Sequence, residues 1–269
     1  MTELNLAIMG AAGRMGKTLI NAINETQNVI VSAAIEHQSS DCIGKDSGIL
    51  AGIGENSVPI TTDIEAALAV SDCIIDFTVP VATISVAKLM ANHNCAHVIG
   101  TTGWTPQQDQ EIEDAAQSAV IVKSGNMSLG VNLLASLVTQ AARALPASDF
   151  DIEVLEMHHK HKIDAPSGTA LLLGQAAAEG REIELEENAV RSRDGITGAR
   201  KEGTVGFATL RGGAVVGDHT VILASNGERI ELSHKAQDRS LFANGAIHAA
   251  QWVRGKPNGL YSMHDVLGL

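Results

Sequence analysis

The sequence has few aromatic residues, few cysteines and no long apolar run. Its three cysteines, Cys42, Cys73 and Cys95, lie far apart and form no Cys-x-x-Cys pair, which argues against a disulfide framework or a thiolate metal site and favours a reducing compartment. No run of about 18 apolar residues occurs, and the first residues do not resemble a secretory signal. We therefore expect a cytoplasmic protein without a membrane partner.

Basic charge is also scarce. Lys and Arg together number 19 against 31 Asp and Glu, a formal net charge of -12, which would repel a polyanion, so nucleic acid is not an expected partner. What the chain does have is 269 residues, 45% of them hydrophobic, and 26 glycines. This composition favours one large or two ordinary compact domains of the α/β class.

The first half alternates short aliphatic runs with helical patterns. Each run ends at a glycine or a polar residue, and Thr105-Pro106-Gln107-Gln108 offers an N-cap, a proline at N1 and a capping-box glutamine. Alternation of this kind predicts parallel βαβ units. The predicted strands are Leu4 to Met9, Val29 to Ile35, Cys73 to Phe77, His97 to Ile99 and Ala119 to Val122.

Beyond Pro146 the pattern changes to period-two alternation with fewer helices. Asn226-Gly227 joins two of these segments and is typical of a type I′ hairpin. We predict a mostly antiparallel sheet with helices packed on it, and a last helical segment, Leu241 to Val253. The expected boundaries are residues 1–128 with 238–269 for the first domain, and 129–237 for the second. The segments expected to be strands are Asp151 to Glu156, Val205 to Leu210, His219 to Ser225 and Arg229 to His234.

A glycine turn follows the first predicted strand. Gly10, Gly13 and Gly16 open the first helix, where backbone N–H groups and the helix dipole can hold a pyrophosphate. Glu36 comes about 20 residues later, at the end of the next strand, where an acid can accept hydrogen bonds from the adenosine ribose. The alternative is a purely structural turn with an exposed glutamate.

Three nearby side chains bear on the choice of coenzyme. A 2′-phosphate needs a cation, and His37, Arg14 and Lys17 are the candidates. We expect both NADH and NADPH to be accepted. The alternative is that these side chains are only a solvated helix end.

The densest cluster of reactive side chains is His158, His159, Lys160, His161 and Lys162. On an acidic protein this is a local positive patch, suited to holding and protonating an anion. If the segment were extended, the first, third and fifth of these residues would share one face. Just after it, Pro166 to Thr169 predicts a helix start that could bind a carboxylate.

Other interpretations of the cluster remain. His159 and His161 could ligate a metal, although Lys160 and Lys162 would repel a dication, so no metal is expected. The cluster could also be a solvated basic loop. A nucleophilic mechanism is disfavoured, since the chain has no Gly-x-Ser-x-Gly elbow.

These motifs resemble those of the bacterial dihydrodipicolinate reductase family, over essentially the whole chain. The signature E-x-H-H-x-x-K-x-D-x-P-S-G-T-A is complete from Glu156 to Ala170. The supporting motifs are the glycine turn with Arg14-Met15-Gly16, Asp76-Phe77-Thr78, Gly100-Thr101-Thr102-Gly103, Gly206-Phe207-Ala208-Thr209, His234-Lys235-Ala236 and Phe242-Ala243-Asn244-Gly245-Ala246.

The resemblance implies an α/β fold with a cleft between two domains, in a homotetramer. Residues 1–128 with 238–269 would form a Rossmann-type parallel sheet domain that binds the dinucleotide, and residues 129–237 an inserted α+β domain for substrate binding and oligomerisation. It implies reduction of a small cyclic dicarboxylate, 4-hydroxy-tetrahydrodipicolinate, by NADH or NADPH, with loss of water, in lysine and diaminopimelate biosynthesis. It assigns catalysis to His158 and Lys162 and substrate binding to His159, Gly168 and Thr169. It assigns the cofactor to Gly10, Ala11, Ala12, Gly13, Arg14, Met15, Glu36, His37, Gly100, Thr101, Thr102, Ser124, Gly125, Asn126 and Met127.

Three residues depart from the common family pattern. Ala12 replaces a frequent glycine, His37 a frequent arginine of NADPH-preferring members, and Met127 a frequent phenylalanine. Two other functions stay open on the residues alone: another two-domain dehydrogenase, acting on aspartate or a semialdehyde, and a dinucleotide-sensing protein without catalysis.

Overall fold

The structure is a computed structural model that describes residues 3–269. The chain divides into two compact units, one formed by the segment ending at Ser128 together with Ser240–Gly268, the other by Leu129–Arg239. Within residues 3–269, no helix is both long enough and apolar enough to cross a bilayer.

Strands and helices alternate in the first unit and separate in the second. The strands are β1 (Leu4–Met9), β2 (Val29–Ile35), β3 (Ile60–Thr61), β4 (Cys73–Asp76), β5 (Ala96–Ile99), β6 (Val120–Lys123), β7 (Asp151–His158), β8 (Ala189–Val190), β9 (Val205–Arg211), β10 (Gly217–Ala224), β11 (Arg229–Ala236) and β12 (Gly259–Tyr261). The α-helices are α1 (Arg14–Asn24), α2 (Ser47–Ala51), α3 (Ile64–Ala69), α4 (Pro80–Leu89), α5 (Pro106–Ala116), α6 (Leu129–Ala144), α7 (Gly168–Arg181), α8 (Leu185–Asn188), α9 (Ser240–Trp252) and α10 (Met263–Leu267).

The first unit is built on a seven-stranded sheet in the order β12-β6-β5-β4-β1-β2-β3. All of its pairings are parallel, as the strand–helix alternation predicted. Strands β4 and β5 are buried along their whole length, because helices cover both faces of such a sheet. Strand order reverses between β1 and β4, and ligands of open α/β sheets bind beside such a reversal, at the carboxyl ends of the strands.

Helix α5 begins as its sequence predicts. Thr105 Oγ1 accepts the N–H of Gln108, and the Gln108 side chain accepts the N–H of Thr105, with Pro106 at N1. The capping box is confirmed. It fixes the residue at which the loop after β5 ends and α5 begins.

The second unit has a five-stranded sheet in the order β11-β10-β7-β9-β8. The β10–β11 and β10–β7 pairs are antiparallel, whereas β7–β9 and β8–β9 are parallel, so the prediction of a mostly antiparallel sheet was wrong. Period-two alternation reports a half-buried strand but not the direction of its partner. Helices α6 and α7 cover one face, where Val138 and Leu173 pack with Val154 and Val221.

The β10–β11 hairpin is present, but its turn is not type I′. That turn needs a positive φ at both central residues, and neither Asn226 nor Gly227 has one. Instead, the Ser225 hydroxyl accepts the N–H groups of Gly227 and Glu228. The Ser225 side chain thus stabilises this turn in place of the positive-φ backbone that Asn-Gly usually adopts.

Candidate active site

The glycine turn lies at the carboxyl end of β1. Gly10 has φ +66, a left-handed conformation that favours glycine, and its carbonyl accepts the N–H of Gly13 at 2.9 Å. A Cβ on Gly16 would lie 2.2 Å from the Gly10 carbonyl oxygen. Helix α1 can therefore lie this close to the turn only because Gly16 has no side chain.

Glu36 ties the turn to the end of β2. Its Oε1 accepts the N–H of Ala12 at 3.0 Å, and its Oε2 accepts the N–H of His37 at 3.2 Å. Each carboxylate oxygen keeps a second lone pair, so the same acid can also accept from a ribose hydroxyl. His37 and Arg14 are exposed, as side chains that contact a 2′-phosphate would have to be.

A buried network joins the ends of β4 and β5. Asp76 Oδ1 accepts from the Thr78 N–H at 2.8 Å, the Thr78 hydroxyl at 2.6 Å and the Thr101 hydroxyl at 3.3 Å. Burial would raise the pKa of Asp76, but His97, 3.5 Å from Oδ2, and the Thr78 hydrogen bonds lower it. An ionised carboxylate thus holds the Gly100-Thr101-Thr102 segment, with Thr101 turned inward and Thr102 exposed.

The loop after β6 is held by its own side chains and by α9. Ser124 Oγ donates to the Asn126 carbonyl at 2.8 Å, and the Ser128 N–H donates to Asn126 Oδ1 at 2.9 Å. Met127 is buried, whereas Gly125 is exposed. A Cβ on Gly245 of α9 would lie 1.7 Å from the Met127 carbonyl oxygen, so α9 packs directly on this loop through a glycine.

These segments share one edge of the sheet. The glycine turn, Glu36, Gly100 to Thr102 and Ser124 to Met127 follow β1, β2, β5 and β6, whose carboxyl ends meet there because the strands are parallel. A close-packed glycine turn before a helix, beside an acid at the end of β2, fits a nicotinamide dinucleotide. The first unit can therefore hold such a cofactor.

In the second unit the reactive cluster begins where β7 ends. Strand β7 stops at His158, and Lys160 and His161 form a turn in which the Lys162 N–H donates to the His159 carbonyl at 3.1 Å. The alternation expected for an extended segment therefore does not hold past His158. The Gly212 N–H donates to the His158 carbonyl at 2.9 Å, so the contact between β7 and the segment after β9 extends to the last residue of β7.

The inward face of β7 changes from apolar to polar along its length. Ile152 and Val154 are followed at the same spacing by Glu156 and His158, all four buried. His158 Nδ1 lies 2.6 Å from Glu156 Oε2. A histidine is thus held on a buried carboxylate at the strand end.

Glu156 has two further partners. Arg211, at the end of β9, donates to both carboxylate oxygens, at 2.8 and 3.0 Å, and the Ser167 N–H donates to Oε1 at 3.0 Å. Burial would raise the pKa of Glu156, but Arg211 and His158 lower it. The carboxylate is therefore charged beside the imidazole.

A second histidine packs against the first. The His158 and His219 rings meet edge to face with centroids 5.0 Å apart, and His219 Nε2 lies 3.0 Å from the Ser167 hydroxyl. Burial, with the charge of His158 next, lowers the pKa of His219 to about 4. His219 is hence a neutral neighbour near pH 7.

The remaining cluster residues lie nearer to solvent. Lys162 Nζ is 2.9 Å from Asp164 Oδ2, and this contact is the main cause that lowers the pKa of Asp164. Desolvation, followed by the charges of Arg239 and His161, lowers the pKa of His159. Among residues 3–269, no group of three or more His, Cys, Asp or Glu is placed to hold a metal ion.

Helix α7 begins directly beyond the cluster. Ser167 is its N-cap and accepts the Ala170 N–H at 3.1 Å. Gly168 is exposed, and apart from its chain neighbours and the backbone of α7, no atom of the described chain lies within 4 Å of where its Cβ would be. Packing therefore does not require a glycine there, whereas close approach of a carboxylate to the first N–H groups of the helix would.

Both halves of the chain match models of one protein family. The family model for the dihydrodipicolinate reductase N-terminus matches residues 4–127, and the model for the C-terminus of that enzyme matches residues 130–267. The chain belongs to the dihydrodipicolinate reductase family. The resemblance drawn from the sequence motifs is thereby confirmed.

Relatives within the dihydrodipicolinate reductase family match the chain at full length. It is 61% identical over 267 residues to 4-hydroxy-tetrahydrodipicolinate reductase 1 of Mesorhizobium japonicum, covering 99% of this chain and 98% of that protein. It is 58% identical to the 4-hydroxy-tetrahydrodipicolinate reductase of Rhizobium rhizogenes, covering 99% and 97%. The dipicolinate-bound dihydrodipicolinate reductase of Paenisporosarcina sp. TG-14 shares the fold, with TM-score 0.78, 24% identity, and coverage of 97% and 98%.

Three residues of the site around Glu156 and His158 were not predicted from the sequence. Arg211, His219 and Gly217 converge on Glu156 and His158 from β9 and β10. One signal could have revealed His219, because it occupies an inward position of a period-two strand that is otherwise apolar. Arg211 gave no such signal.

Proposed function

We propose that this chain reduces 4-hydroxy-tetrahydrodipicolinate to tetrahydrodipicolinate, with loss of water, using NADH or NADPH, in lysine and diaminopimelate biosynthesis. One observation carries the chemistry: His158 rests on the buried, charged Glu156, next to a cationic loop and the start of α7. That arrangement suits proton transfer to a small anion. The full-length relatives of that name support the choice of substrate.

The first unit serves as the cofactor domain in this proposal. Gly10 to Met15 would hold the pyrophosphate, Glu36 and His37 the adenosine ribose, and Gly100 to Thr102 with Ser124 to Met127 the nicotinamide side. A bound dihydronicotinamide supplies hydride. The contribution of the protein is to fix these loops, which it does through Asp76 and Gly245.

The second unit serves the substrate. The two carboxylates of the substrate need neutralising groups, and we assign them to His159, Gly168 and Thr169, with Lys162 as a proton donor beside His158. Release of Lys162 from Asp164 would free its ammonium for this purpose, since an ion pair with one exposed partner, here Asp164, is worth little. Hydride and proton must reach the same substrate molecule.

An enzyme assay tests the proposal. Substrate made freshly by the preceding enzyme of the pathway is added to the protein with NADH or NADPH, and loss of nicotinamide absorbance is followed. We expect turnover, and competition by dipicolinate, which occupies the fold-related structure. Oxidation of aspartate with NAD⁺, in place of this reduction, would overturn the proposal.

Thr169→Val is expected mainly to raise KM. The substitution keeps the shape of the side chain but removes the hydroxyl assigned to substrate binding, so ground-state and transition-state binding fall together. Steady-state kinetics would measure it, with Thr169→Ser, which keeps the hydroxyl, as the control. A large fall in kcat at unchanged KM would contradict the binding role.

Both coenzymes are expected to bind with comparable affinity. Arg14→Ala should weaken NADPH more than NADH, because a guanidinium is a good partner for a 2′-phosphate. Fluorescence titration would measure both dissociation constants, with Lys88→Ala on α4, an exposed cation paired with Glu111, as the control. A hundredfold preference in the unmodified protein, about 3 kcal/mol, would contradict the expectation.

We also infer that the enzyme acts in the cytoplasm as a homotetramer. Cys42, Cys73 and Cys95 are free thiols, as a reducing compartment maintains them. The second unit exposes Leu133, Leu137, Leu210 and Ile230, and association would cover such side chains. Analytical ultracentrifugation measures the assembly.

A further inference from the structure

We propose that Glu156 is a positioning residue that keeps a proton on Nδ1 of His158 and so presents Nε2 as the nitrogen that exchanges a proton with the substrate. This inference rests on the proposed function. The two side chains lie on the same inward face of β7, with Oε2 and Nδ1 2.6 Å apart. At that distance a hydrogen bond between a charged acceptor and a ring N–H is strong.

The carboxylate can do this because it cannot turn away. Arg211 binds both of its oxygens and the Ser167 N–H binds one, while Glu156 is only 1% exposed. Arg211 is fixed in turn by the carbonyls of Leu210 and Asp164, at 2.7 and 2.6 Å. The position of the imidazole plane is therefore set by three segments of the second unit.

On the opposite side of the buried ring, a glycine leaves room beside Nε2. Nε2 faces Gly217 at the start of β10, where a Cβ would lie 3.0 Å from that nitrogen. The His219 ring meets the His158 ring edge to face and does not hydrogen-bond to His158 Nε2. The Nε2 atom of His219 is instead paired with the Ser167 hydroxyl. Of the two ring nitrogens of His158, Nδ1 is thus committed to the protein and Nε2 is left for chemistry.

The proton balance follows from this assignment. The water that is lost takes its hydroxyl and its hydrogen from the substrate itself, and the reduction that follows needs one hydride and one proton. The Nε2–H bond of the imidazolium breaks, its electron pair stays on Nε2, and the proton bonds to the reduced substrate. Glu156 stabilises the imidazolium before the transfer and holds the Nδ1–H tautomer after it, as a carboxylate orients histidine in other acid–base sites.

The unmodified protein provides the first test. Its histidines are labelled with ¹⁵N, and the ring nitrogens are observed by NMR in alkaline solution, with His158→Gln used for assignment. We expect the His158 proton on Nδ1 and a bare Nε2. A proton on Nε2 instead would overturn the proposal without any activity measurement.

Glu156→Gln provides the second test. Two fixed donors, the Ser167 N–H and one Arg211 N–H, face Oε1, whereas a single Arg211 N–H faces Oε2. The glutamine amide should therefore keep its oxygen toward Ser167, where it meets more donors, and turn its NH₂ toward Nδ1 of His158, which then has to accept. We expect the tautomer to invert to Nε2–H and kcat to fall on the order of a hundredfold. KM should change by less than about threefold, because Glu156 does not contact the substrate.

Glu153→Gln is the matched control. Glu153 is also on β7 and also binds guanidinium groups, those of Arg193 and Arg200, but it is not a partner of His158. We expect this variant to keep the His158 tautomer and a near-normal kcat. Equal losses of kcat in both variants, with no tautomer change in Glu156→Gln, would show a merely structural role and overturn the proposal.

The two proposals fail in different ways. If the reductase assay shows no turnover while ¹⁵N NMR finds the proton on Nδ1, the function is wrong and the positioning holds. If turnover is present and the proton is found on Nε2, the positioning is wrong and the function stands.

Discussion

Replacement of His158 by glutamine is expected to lower turnover about a hundredfold or more, the usual size of the loss when a positioned acid is removed. Glutamine keeps polarity and approximate length but carries no exchangeable imidazolium proton. Lys162→Met should have an effect of the same order, since it removes the second proposed donor. Steady-state kcat with saturating coenzyme is the measurement, with circular dichroism confirming that each variant folds.

His161→Gln is the matched control for these variants. His161 lies in the same cluster but is exposed, in the turn between the two assigned donors. We expect near-normal turnover. Near-normal turnover in both His158→Gln and Lys162→Met would show instead that the proton donors are assigned wrongly.

Gly245→Ala is expected to destabilise the protein and weaken binding of the coenzyme. In a helix interior, glycine to alanine ordinarily gains about 1 kcal/mol. Here the added Cβ would lie 1.7 Å from the Met127 carbonyl oxygen, so α9 or the loop after β6 must move, and overpacking of this kind typically costs about 1–3 kcal/mol. Gly245→Ala should therefore lower the free energy of unfolding, whereas helix propensity alone would raise it.

Urea unfolding and NADH titration together measure this effect. Asn244→Ala, one position earlier on the exposed side of α9, is the control and should gain stability or leave it unchanged. A more stable Gly245→Ala variant with unaltered NADH affinity would contradict the close packing of α9 on the loop.

Local signals in the sequence predicted the first unit well. The glycine turn, Glu36 and the Thr105–Gln108 capping box each depend on residues a few positions apart, or on one strand–helix–strand unit. Parallel order follows from the alternation of strands and helices. For this reason the sequence alone could predict which segments meet at this edge of the sheet.

The second unit was harder for physical reasons. Its polar site depends on Arg211, which reaches Glu156 from a strand 55 positions further along the chain, and nothing local marks such a partner. The parallel pairing of β7 with β9 was missed because alternation is the same in both directions. The predicted strand Asp151 to Glu156 ended two residues before β7 does, and the extended run considered beyond it is a turn at Lys160 and His161.

The second unit is inserted between β6 and α9, which has a consequence for biosynthesis on the ribosome. Strand β12 pairs with β6, yet it is translated only after the whole of Leu129–Arg239. A nascent chain therefore carries an incomplete parallel sheet, with β6 as an open edge, for as long as the insertion takes to emerge, and open edges invite pairing with other chains. The first unit is thus the first to be synthesised in part and the last whose sheet is completed.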